Sequence, residues 1–253
     1  MDWTMLALLA GISLMVGGLI GVVGVGGVLL VPLLTYGFDI DVHLAIATVM
    51  FSFVFSGPVA AIVYARQGSI KWNMVFFLVL GAAPMSFLGA MAISMIPPLG
   101  LESIIGGLVG FAGINALRIE KHIADRTADL RALALVVIGG LTGFGSALTG
   151  TGGPLVLVPM MVWLRVPVLT AVGLSHAVQL PIAALASVGN TIYGHIDLIL
   201  GAVLAAGLMV GAAIGARLAH WFSPAALRAI VAWVLVLVGG AMIGRSSMAF
   251  LGL

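Results

Sequence analysis

Two stretches break an otherwise apolar chain with residues that could hold a ligand. GSALTGTGGPLVLVP, Gly145–Pro159, places Thr149, Gly150, Thr151, Gly152 and Gly153 directly before a proline. GVVGVGGVLLVP, Gly21–Pro32, carries Gly26 and Gly27 in a similar frame, with Val23 and Val25 where the later stretch has Thr149 and Thr151. Glycine lets the backbone adopt unusual dihedrals and lets another chain approach closely. A helix that restarts at Gly26–Gly27 or Gly152–Gly153 presents free N–H groups at its positive end, where an anion is favoured. Pro154 suits the first turn of such a helix, where its missing N–H costs nothing. The first stretch has no hydroxyls, so a cradle there relies on backbone alone.

A second set of candidates lies on the segments that follow. Ser175, His176, Gln179 and Asn190 stand 126 residues after Val49, Met50, Phe53 and Tyr64. Ser175 and Gln179 share a helix face at i, i+4, and His176 precedes Gln179 by three. Hydroxyl, amide and imidazole groups can all donate to anion oxygens. Thr48, Ser52 and Ser56 form a comparable stripe in the first half. The competing reading for each hydroxyl is a bond to its own helix backbone. His176 is also a candidate for proton coupling, because imidazole titrates near neutral pH. His43, His195 and His220 lie near expected helix ends. Cysteine is absent and the histidines lack close metal-ligand spacing, so neither a metal site nor a cofactor is expected.

These residues must be positioned by membrane helices. The 253 residues are 62% hydrophobic and 7% charged, with a mean hydropathy of +1.30. A soluble domain carries about 25% charged residues, so the chain is expected to be an all-α, polytopic integral membrane protein whose partners are the lipid bilayer and a small anion. The net charge of +2 gives no reason to expect nucleic acid. The first apolar segment, MDWTMLALLAGISLMVGG, has no basic residue before it and is expected to be retained rather than cleaved. Eight apolar segments run at about 4–36, 43–65, 72–96, 99–118, 132–163, 168–190, 197–221 and 225–244. A spanning helix needs about 20 residues. Six segments fit; the first and fifth are too long, and both contain the glycine break.

The stretch RIEKHIADRTADLR, Arg118–Arg131, holds seven of the 18 charged residues and reads as a solvated, cytoplasmic linker. It divides the chain into repeats at 1–117 and 132–253. At an offset of 126, Gly17 matches Gly143, and Gly24, Gly26 and Gly27 match Gly150, Gly152 and Gly153. Ala45 matches Ala171 and Gly68 matches Gly194; Gly81, Gly89 and Ala90 match Gly207, Gly215 and Ala216; Pro98 and Leu101 match Pro224 and Leu227. Such a register argues for an internal duplication. If all eight segments span, the basic residues split seven to three between the two sides. If segments one and five are re-entrant hairpins, nine of the ten fall on one side, and only Arg245 lies opposite. The positive-inside rule favours the second arrangement. Each half then has a re-entrant segment and three spans, the halves are inverted, and both termini are extracytoplasmic. Asp197 and Lys71 hold equivalent positions with opposite charge, and Trp72 and Trp163 suit interfacial anchors.

The paired motifs GVGGVLLVP and GTGGPLVLVP resemble those of the sulfite exporter TauE/SafE family, also called the toluene sulfonate uptake permease family. AIATVMFSFVFSG and AVGLSHAVQLP follow them, and YARQGSIKW and YGHIDL close the matching second helices. The resemblance covers nearly the whole chain. It implies a multi-spanning carrier for sulfite, sulfonates or related anions in a bacterial inner membrane.

Two broken segments at corresponding positions in two halves point to a transporter's midplane site. The expected function is therefore a secondary transporter of a small organic or inorganic anion, and not an enzyme; the resemblance implies a sulfur oxyanion, sulfite or a sulfonate. The sequence is compatible with proton or sodium coupling and with a homodimer. Two alternatives stand beside it. An anion channel would use the glycine loops as a filter. An intramembrane serine protease would use Ser146 or Ser175 as nucleophile and His176 as base. A third reading applies to Gly207, Gly211 and Gly215 alone, whose four-residue spacing suits tight helix packing.

Overall fold

In a computed structural model of the chain, the described residues are 3–23, 26–118, 130–218, 232, 233, 236, 237 and 239–244. All regular structure among them is helical. Most of the charged linker, with Pro224, Leu227, Arg228, Arg245 and His220, lies outside these residues.

The first segment forms α1, Trp3–Val23, followed by a short arm that we call α2. This arm winds as a 3-10 turn at Gly26–Leu29, α-helix at Leu30–Pro32 and π-helix at Leu33–Gly37. Then come α3 (Val42–Arg66), α4 (Trp72–Ile93) and α5 (Pro98–Arg118). After the linker, the fifth segment forms α6 (Ala132–Thr149) and the short α7 (Pro154–Trp163), followed by α8 (Val168–Tyr193) and α9 (Leu198–Leu218). Among the described residues, six helices are long and apolar enough to cross a membrane: α1, α3, α4, α6, α8 and α9. They lie in the first, second, third, fifth, sixth and seventh apolar segments, and part of the eighth lies outside the described residues. Each over-long segment yields one long helix and one short arm.

Local sequence explains several ends. The Asp41 carboxylate accepts from the backbone N–H groups of His43 and Leu44 and caps α3. Asp197 does the same for α9 through Ile199 and Leu200. Both side chains satisfy N–H groups that have no partner inside the helix. Trp72 and Trp163 are 62% and 85% exposed at helix ends, as anchors require.

Glycines set the packing. A Cβ on Gly17 would lie 2.9 Å from Leu208 Cα, and one on Gly143 would lie 2.8 Å from Ala82 Cα. Gly207 presses on Ala10 and Leu14, while Gly81 presses on Val136 and Gly140. Gly215 meets Gly18, and Gly89 meets Phe144. In every pair the second contact is the first one shifted by 126 residues, with the halves exchanged. Thus α1 packs on α9 as α6 packs on α4. Gly207, Gly211 and Gly215 serve backbone-to-backbone packing, as their spacing suggests: Gly211 lies against the Leu14 carbonyl.

These contacts also fix direction. Gly17 lies by Leu208 and Gly21 by Ala212, so α1 runs parallel to α9. Asp197 meets Thr48 and Gly201 meets Phe51, so α9 runs parallel to α3. Hence α1 and α3 point the same way, and the chain must double back between them. In the second half, Gly139 on Leu78 and Gly143 on Ala82 make α6 parallel to α4. Gly173 on Ile70 and Gly189 on Ala90 make α4 parallel to α8. Again the chain returns within the broken segment, through α7.

Candidate functional site

The second break is built from three positive-φ glycines. Gly150 ends α6 in the left-handed conformation (φ 66°), with its N–H bonded to the Ser146 carbonyl. Gly152 (φ 72°) and Gly153 (φ 123°) follow, and Gly153 caps α7 with Pro154 in its first turn. A side chain in the left-handed region costs roughly 1–2 kcal/mol, which explains three glycines in four residues. The N–H of Thr151 is taken by the Ser146 carbonyl, whereas those of Gly152 and Gly153 donate to no other group among the described residues. Two free donors therefore sit at the positive end of α7.

The surroundings bring both breaks together. A Cβ on Gly152 would come within 2.8 Å of the Phe53 ring and 3.0 Å of the Gln179 Nε2 amide. A Cβ on Gly27 would come within 2.7 Å of the same ring. Phe53 and Gln179 lie near the middle of α3 and α8 respectively, and Gln179 also packs on Gly57. One buried phenyl ring thus separates the first break from the second. Sequence reasoning treated Phe53 only as the apolar counterpart of Gln179; that equivalence was the available signal for its central place.

His176 lies beside this centre. Its Nδ1 is 3.1 Å from Gln179 Oε1, an acceptor, so Nδ1 carries the proton and donates. The imidazole stacks on Tyr64 at 5.6 Å, and the Tyr64 hydroxyl donates to the Gly21 carbonyl at 3.0 Å. His176 Nε2 is buried and has no hydrogen-bond partner among the described residues. Through Tyr64, the end of α1 is clasped from α3.

The predicted hydroxyl ligands are committed elsewhere. Thr149 donates to the Gly145 carbonyl at 2.8 Å. Its contact with Thr151, 3.0 Å between hydroxyl oxygens, must then be donated by Thr151. Ser52 donates to Val49 and Ser175 to Val172, each within its own helix. Thr48 accepts from the Asp197 N–H at 3.2 Å and so ties α3 to the start of α9. Ser56 is buried without a partner. Asn190 is also buried, with Nδ2 unpartnered, but it stands eleven residues, about 16 Å, along α8 from Gln179. Gly26 opens the 3-10 turn, and Gly27 follows it against Phe53. The structure thus assembles Gly27, Gly152, Gly153, Gln179 and His176, and leaves Thr48 and Asn190 apart.

Ser146 Oγ and His176 Nε2 each lack a hydrogen-bond partner, so no serine–histidine pair is formed between them. Ser175 uses its proton on its own helix. Among the described residues no cluster of three potential metal ligands occurs.

The family model for sulfite exporter TauE/SafE matches residues 8–242. The chain belongs to this family. It is similar to the "Probable membrane transporter protein YdhB" of Bacillus subtilis (strain 168), 27% identical over 228 residues, covering 87% of this chain and 93% of the relative. It is also similar to "Probable membrane transporter protein YjnA" of the same organism, 27% identical over 243 residues, covering 90% and 95%. A "Probable membrane transporter protein" of Xylella fastidiosa (strain 9a5c) is 26% identical over 216 residues, 83% of each chain. No solved structure matches. Family, relatives and six apolar helices make this a multi-pass membrane protein, with transport as its general activity.

Proposed function

We propose that the chain is a secondary transporter of a small sulfur oxyanion, sulfite or a sulfonate, working by alternating access in a bacterial inner membrane. The observation that carries this reading is the pair of free N–H groups at Gly152 and Gly153 beside the Gln179 amide. Gly152 lies beside Phe53 and Gln179, near the middle of α3 and α8. The free N–H groups attract negative charge through hydrogen bonds and the α7 dipole, without the desolvation of a buried cation. His176, one hydrogen bond from Gln179, is the residue that would carry a coupled proton.

The halves act as inverted repeats. The support is the exchange of glycine contacts at the 126-residue offset and the antiparallel packing of the equivalent helices α3 and α8. Along that pair Gly57 meets Gln179 and Tyr64 meets His176, so one register rises as the other falls. With α1 parallel to α3, α1 and α2 enter and leave from one side, and α6 and α7 from the other. Backbone that is non-helical at membrane depth is tolerated where it is buried in protein or lines a cavity, and Phe53, Gln179 and Ile46 bury it here. A C-terminal reporter should then be active outside the cytoplasm. A cytoplasmic C-terminus would sink the topology.

Proteoliposome flux tests the transport reading. The carrier reading expects saturable uptake of labelled sulfite or a sulfonate, accelerated by unlabelled substrate on the opposite side. Non-saturating flux without counterflow would instead favour the channel.

A further inference from the structure

On the other side of His176, a groove of about 470 Å³ runs along α3 and α8. Pro58, Ala61, Ile62 and Ala65 form one wall, Ala177 and Leu180 the other, and His176 the floor. Arg66 and Trp72 stand at one end. From Pro58 to Arg66 the groove spans eight helical residues, about 12 Å. Pro58 and Pro181 both sit inside their helices here, and the small residues Ala61, Ala65 and Ala177 leave the space open.

The groove combines an apolar channel with an unneutralised cation at its mouth. Its walls carry no carboxylate, and Arg66 makes no ion pair among the described residues. Lys71, exposed beside Trp72, is not part of the groove's lining. Trp72 is 62% exposed, as an indole that sits among headgroups would be. Basic pockets between membrane helices select anionic headgroups.

We propose that this groove binds one acidic phospholipid, with an acyl chain between α3 and α8 and the headgroup phosphate on Arg66. The chain lies against the floor made by His176, so its occupancy bears on the residue that holds Gln179. A zwitterionic lipid can fill the channel but cancels part of the attraction at its mouth. The preference comes from Arg66, and the retention common to both lipids comes from the groove.

The test is native mass spectrometry of the purified full chain, titrated in detergent with dioleoyl phosphatidylglycerol or dioleoyl phosphatidylcholine. One basic contact corresponds to about fivefold tighter retention of the acidic lipid. Arg66→Gln should reduce that ratio to about one. Ala61→Phe, a substitution that fills the channel from its lipid-facing side, should weaken retention of both lipids. Equal retention of the two by the wild type would overturn the proposal, whatever the variants do. So would an unchanged ratio in Arg66→Gln, or displacement of the lipid by soluble glycerol phosphate at comparable concentration, which would mean a headgroup site without a groove. The readout is bound lipid, so it stands independently of which anion is transported.

Discussion

The two glycine breaks occupy equivalent positions and are built differently. The second has three positive-φ glycines, a free pair of N–H groups and the Gln179 amide beside it. The first has a tight 3-10 turn against the Phe53 ring, and the end of α1 is clasped by Tyr64. At the position equivalent to Tyr64 stands Asn190, buried with an unpartnered Nδ2. On the proposed reading, the repeated glycine frame serves as scaffold and the anion contacts lie in the second half. The glycine seams differ in the opposite way: α1–α9 and α4–α6 repeat one another contact for contact.

The largest expected effect tests the symmetry of the seams. Gly81→Leu and Gly207→Leu both drive a side chain into the facing helix backbone. Both should abolish recovery of monodisperse protein, to the same degree. A tolerated substitution in one seam would break the equivalence.

Next is Gln179→Leu. Losing a hydrogen bond to a charged group costs about 1.5–3 kcal/mol, so anion affinity should fall more than about tenfold. Titration calorimetry reads this directly, and unaltered affinity would remove Gln179 from the site.

A third prediction contrasts the breaks. Gly152→Ala meets both an unfavourable φ and the Phe53 ring, whereas Gly27→Ala meets only the far edge of that ring, which can shift. Affinity should drop about tenfold in the first, from a cost of roughly 1–2 kcal/mol, and much less in the second. The reverse order would place the site at the first break.

The smallest effects concern the clasp. Tyr64→Phe removes one bond and should lower stability by about 0.5–1.5 kcal/mol. Asn190→Leu removes an unsatisfied amide and should leave melting temperature unchanged or raised. A strongly destabilised Asn190→Leu would reveal a partner for that amide.

Much of this organisation is legible in the sequence. Glycine repeats announce themselves because no other residue allows helix backbones to touch, and Gly152–Gly153–Pro154 encodes a helix start almost by itself. The side-chain assignments are harder to read. Whether a threonine or serine donates to a ligand or to its own helix depends on one rotamer, and Ser52, Thr149 and Ser175 all turn inward. Phe53 gives no polar signal, yet its ring lies on both breaks. The Tyr64–Gly21 bond joins residues 43 positions apart and depends on packing that no local pattern records.

The most direct test is thermal stability of purified wild type, Gly152→Ala and Gly27→Ala against sulfite, thiosulfate, sulfonates, sulfate and carboxylates. A ligand at 100 times its dissociation constant stabilises the folded state by about 2.7 kcal/mol. The account predicts a saturable shift with one sulfur oxyanion in wild type and Gly27→Ala, strongly reduced in a folded Gly152→Ala. An equal shift in all three would contradict an anion site at the second break.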